Sequence, residues 1–135
     1  MTKEIIENSI KYAKVIWSWD WNENLQFYTD NEDFVQVATW NYNSWKHLKA
    51  HAHKIYERVS NRTQEVLFIK QWKIEATIYN EDDNEIEKLV LSTWDIMIIY
   101  SWWHSYNILE DNTQVLEVKN GPYPWIEKDK KIIEK

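Results

Sequence analysis

Short apolar stretches of four to eight residues, rich in Ile, Val, Tyr and Thr, recur along the whole chain and are separated by polar clusters. This spacing limits what the chain can fold into more than any other feature. Runs of that length are too short for amphipathic helices, but they fit strands that bury one face. Residues 65–79 give the clearest case: EVLFIK and KIEATIY flank Gln71-Trp72 and read as two antiparallel strands joined by a tight turn. A turn at Asn80 to Asn84 follows, then IEKLVL, a turn at 92–95, IMIIY, a break at 101–103, HSYNIL, a turn at 110–112 and QVLEV. The pattern predicts strands at 34–38, 48–53, 65–71, 73–80, 86–91, 96–100, 104–109 and 114–118. Residues 3–14 read as strand, and the charged stretch 126–135 as a tail or strand-edge extension. An all-β sandwich or barrel follows, because both architectures bury one face of each strand and control its edges.

A chain of 135 residues is the size of one domain. Its 16 Lys and Arg against 22 Asp and Glu leave a formal charge of −6, which argues against a phosphate-backbone binder. We therefore expect no nucleic acid partner. The mixed charged and apolar start has neither a signal-peptide core nor a bilayer-length apolar run, so the expectation is a cytoplasmic protein with no membrane partner. With no cysteine, any metal must be held by His, carboxylate or water.

Two of the four histidines stand as His51-Ala52-His53 in HLKAHAHK, which alternates like a strand. Residues at i and i+2 of a strand share a face, so these imidazoles can ligate one ion; a pair of surface histidines is the plain alternative. Glu65 and His104 each open a strand, where an inward side chain reaches the same region. Three imidazoles and one carboxylate suit a borderline divalent metal: zinc, manganese, iron or nickel. His47 falls outside this set and reads as exposed.

Trp45, five residues, His51-Ala52-His53, then Glu65, six residues and Trp72 resemble the first cupin motif, with Trp where the motif carries Gly. Residues 94–107 resemble the second motif. NRTQEVLFIK, IIYSWWHSYNILED and LEVKNGPYPW are similar to a group of small bacterial cupins encoded among surface-polysaccharide and sugar-nucleotide genes. The resemblance implies a cupin-type antiparallel double-stranded β-helix (jelly-roll barrel) over residues 1–135. It also implies a metal centre of His51, His53, Glu65 and His104, a homodimer, and a sugar-related small-molecule substrate. Glu57 competes with Glu65 as the carboxylate ligand, since its spacing from His53 is nearer the motif. The implied function is a metal-dependent isomerase or epimerase of a sugar or sugar nucleotide, the metal acting as a Lewis acid and Tyr106 or Glu57 as the base. The alternative is a non-catalytic metal- or carbohydrate-binding module.

Ten Trp against one Gly is abnormal, where average usage of about 7% would supply roughly nine Gly. Trp45, Trp72, Trp94, Trp102, Trp103 and Trp125 stand where the resembling family has Gly, whereas Trp40 matches a family Trp. A gene that reads UGA as glycine, translated with UGA as tryptophan, would produce both anomalies. UGG codons at those six positions would exclude it.

Overall fold

The computed structural model describes residues 1–101 and 103–131. Ten strands form among the described residues: β1 (Lys3–Glu7), β2 (Ile10–Ile16), β3 (Asn24–Phe27), β4 (Ala38–Asn41), β5 (Glu65–Gln71), β6 (Lys73–Tyr79), β7 (Glu85–Ser92), β8 (Ile96–Ile99), β9 (His104–Ile108) and β10 (Gln114–Lys119). The described helix is one turn, α1 (Ile126–Asp129), inside the stretch expected to be a tail. The fold is all-β. No described helix is long and apolar enough to cross a membrane.

The strands make a five-stranded sheet in the order β1-β2-β8-β5-β10, a three-stranded sheet β7-β6-β9 and a separate β3-β4 pair. Every pairing is antiparallel. The two larger sheets share one core. Tyr12, Val15, Leu67, Ile69, Met97 and Ile99 from the first meet Ile74, Ala76, Ile78, Leu89 and Leu91 from the second. Among the described residues, no ladder joins the two sheets.

A second cluster lies on the outer face of the five-stranded sheet, where Ile16, Ile96, Ile98 and Tyr100 pack under Tyr28. β8 is therefore buried on both faces: Met97 and Ile99 serve one cluster, Ile96 and Ile98 the other. Its doubly apolar sequence is largely satisfied within the chain. Lys11 fastens the segment that covers the outer face. Its Nζ lies 2.9 Å from both Asp30 Oδ2 and Asp33 Oδ2, and 4.1 Å over the Tyr100 ring.

Turns follow side-chain chemistry. Asn8 and Ser9, both at positive φ, join β1 to β2 as a two-residue hairpin. Asn80 Oδ1 accepts from the backbone N–H groups of Asp82 and Asn84 at 3.0 Å each, closing the turn before β7.

Two expected strands differ. Residues 34–37 are irregular and the strand starts at Ala38, because side chains take the backbone donors: Val35 N–H donates to Gln64 Oε1 at 2.8 Å and Val37 N–H to Thr29 Oγ1 at 3.1 Å. Residues 48–53 are not a strand but part of an irregular stretch, 42–64. Between Leu48 and His53 the only large apolar side chain is Leu48, so alternation there has nothing to bury, unlike the Leu67 and Ile69 face of β5.

Candidate functional site

Glu65 opens β5 on the face that also carries Leu67 and Ile69, so the core alternation points its carboxylate between the sheets, where it is buried. In the ladder it stands between Ile99 of β8 and Lys119 of β10. Opposite, His104 opens β9 beside Ile78, and Tyr106, two residues on, lies beside Ala76. The same period of two puts His104 and Tyr106 on one face, with ring centroids 5.3 Å apart.

The two sheets meet at these side chains. His104 Nε2 lies 3.0 Å from Glu65 Oε2, and Lys119 Nζ lies 3.8 Å from Glu65 Oε1. Burial pushes the Glu65 carboxyl up, but contact with His104 and the charges of His104, Lys119 and Lys130 outweigh it and hold it below the ordinary value. Burial, reinforced by the Glu65 and Glu117 carboxylates, pushes the Tyr106 phenol far up, so it stays protonated at neutral pH.

His104 Nδ1 and Tyr106 OH are buried without a hydrogen-bond partner among the described residues, while Glu65 Oε2 faces His104 Nε2. An unsatisfied buried polar group costs about 1–3 kcal/mol, so two in one place mark a point where a polar ligand can be held. All three side chains line a cavity of about 1180 Å³, whose wall also includes Leu67, Ile74, Trp103 and Glu117. Lys128, Lys130 and Lys131 stand at its rim, while Glu117 is half-exposed on the Lys119 face of β10.

Of the residues expected at a metal centre, Glu65 and His104 come together. His51 and His53 do not join them: they sit exposed in the irregular segment 42–64, with ring centroids 5.2 Å apart, and neither lines the cavity. One ion held by all four needs donor atoms about 2 Å from a common point. No three His, Asp or Glu side chains among the described residues form such a group, so the four do not fit one ion as they stand. Glu57 is exposed in the same segment and does not line the cavity, whereas Tyr106 does. His47 is exposed, as expected. Of the Trp residues read as standing at the motif's edges, Trp102 lies outside the described residues and Trp103 lines the cavity.

Sequence reasoning missed Lys119 and Glu117. Their signal lies in register, since Lys119 opposes Glu65 and Glu117 opposes Leu67, and pairing partners cannot be read from either strand alone. Compared with protein-family models, curated proteins and solved structures, the chain matches none of them.

Proposed function

We propose that this chain is a cupin-type jelly roll whose inter-sheet cavity binds a small carbonyl compound and moves a proton at the carbon beside the carbonyl, as an isomerase or epimerase does. One observation carries the reading: a carboxylate, an imidazole and a protonated phenol converge on a cavity wall, with the His104 Nδ1 and Tyr106 OH atoms unsatisfied among the described residues. A neutral His104 with its Nε2–H turned to Glu65 presents the Nδ1 lone pair as base, and the carboxylate fixes that tautomer. His104 Nδ1 takes the proton, the C–H electron pair moves toward the carbonyl, and the Tyr106 hydroxyl donates to the oxygen that gains charge. Return of the proton to the opposite face inverts the centre. Its return to the former carbonyl carbon completes an isomerisation when the first carbon bears a hydroxyl, whose proton passes to the original carbonyl oxygen by way of the Tyr106 hydroxyl as the new carbonyl forms.

The sugar or sugar-nucleotide identity of the substrate rests on the resemblance, not on residue chemistry. The test is to incubate the protein with a panel of keto sugars and sugar nucleotides in D₂O and follow loss of the proton signal beside the carbonyl by NMR. Exchange that vanishes in His104→Gln supports the reading. Binding without exchange by any member would favour a non-catalytic carbohydrate-binding module.

A second reading keeps a divalent ion, and His51 favours it. His51 Nδ1 donates to the Lys49 carbonyl at 3.1 Å, which leaves Nε2 as the free acceptor, the state a metal ligand needs. Calorimetric titration with zinc or manganese, repeated on His51→Ala and His47→Ala, tests it: only the first substitution should weaken binding.

A further inference from the structure

Eight described residues other than glycine hold a positive φ: Asn8, Ser9, Asn24, Trp72, Asp83, Trp94, Asn112 and Trp125. Five are Asn, Asp or Ser, whose short polar side chains tolerate the left-handed region. The other three are all tryptophan, at φ of 69°, 74° and 74°. No Ile, Leu, Val, Lys, Glu or Tyr occurs there, although these types make up much of the chain. The bulkiest side chain thus occupies the backbone conformation that suits it least, while the one glycine, Gly121, does not use it.

The backbone around two of these positions is fixed by the fold. Trp72 is the only residue between β5 and β6, and its N–H donates to Thr93 Oγ1 at 2.9 Å. Trp94 N–H donates to the Ile69 carbonyl at 2.7 Å, in a turn closed by Asp95 N–H to Ser92 O at 2.9 Å. The turns demand the left-handed residue whatever side chain it carries. The indoles bury little: Trp72, Trp94 and Trp125 are 46%, 57% and 72% exposed, and their ring contacts are Trp94 with Phe68 and Trp125 with Tyr123. None of them lines the cavity, so the strain does not serve the site.

We infer that positions 72, 94 and 125 are glycine in the protein as its own host makes it, through UGA codons read as glycine. A single reassigned codon accounts for tryptophan at all three positive-φ positions and moves the Trp and Gly content, ten and one as written, toward ordinary usage. The inference is confined to these three positions, where the backbone itself carries it.

Peptide mass spectrometry of the protein from its native source, read beside the gene, tests this directly. Glycine masses at 72, 94 and 125 over UGA codons are expected; tryptophan in those peptides, or UGG codons, overturns it. A second measurement compares recombinant chains. Trp72→Gly, Trp94→Gly and Trp125→Gly together should raise Tm by about 10 °C, or restore folding seen by circular dichroism if the tryptophan chain does not fold. The control Trp40→Gly, in the extended strand β4, should lower Tm. No gain from the triple variant, or an equal gain from Trp40→Gly, overturns the inference.

Discussion

His104 Nε2, on the three-stranded sheet, lies 3.0 Å from Glu65 Oε2, on the five-stranded sheet, so one polar pair spans the interior of the sandwich at the cavity wall. His104→Ala leaves a buried carboxylate without its 3.0 Å partner and with Lys119 Nζ 3.8 Å away. We expect a loss of about 2–4 kcal/mol in denaturant unfolding. The double variant Glu65→Gln, His104→Ala should lose less than the sum of the single losses, and strict additivity would show that the pair is not coupled.

The same pair sets an acid limit on stability in metal-free protein. Because the folded Glu65 pKa is depressed below its ordinary 4.5, its stabilising contribution is fully present above about pH 4.5. It is lost as pH falls through the lower folded value. Unfolding free energy measured between pH 6 and 3 should therefore drop less steeply in Glu65→Gln than in the parent chain. Identical slopes would mean that the carboxyl is not held down by its neighbours.

How much of this was legible in the sequence depended on whether a signal was local. The strands from residue 65 onward could be read almost to the residue, because Leu67 and Ile69 or Ile74, Ala76 and Ile78 alternate over a buried face. The segment around His51 alternates too, but without large apolar side chains, and pattern alone cannot tell a half-buried strand from an exposed irregular run. Glu65, His104 and Tyr106 were legible as strand-opening or same-face polar residues. Lys119 and Glu117 were not, because what brings them to Glu65 is register between strands about fifty residues apart.

The expectation of a homodimer now rests on β10. Its outward-facing Leu116 and Val118 are 57% and 52% exposed, and they continue the apolar surface of Phe68 and Val66 on the neighbouring strand. β10 is also an edge strand, with one side unpaired among the described residues. Light scattering should give twice the 16.6 kDa chain mass, falling to the monomer in Leu116→Lys, Val118→Lys. A monomer mass for the parent chain at micromolar concentration removes the expectation.

Tyr106 separates a catalytic cavity from one that only binds. Its hydroxyl is buried, unpartnered among the described residues and held protonated by burial and by the Glu65 and Glu117 carboxylates, so it can donate to an oxygen gaining negative charge. Tyr106→Phe removes that donor and little else, because the phenol makes no internal hydrogen bond that folding would lose. On any substrate found by proton exchange, the variant should therefore keep its thermal midpoint and its KM within a few-fold, while kcat falls by roughly 10²–10⁴. His104→Gln should lower kcat at least as far, because the base is lost rather than the donor. If Tyr106→Phe instead raises KM and leaves kcat intact, the hydroxyl serves ground-state binding and does not stabilise the oxygen that gains charge.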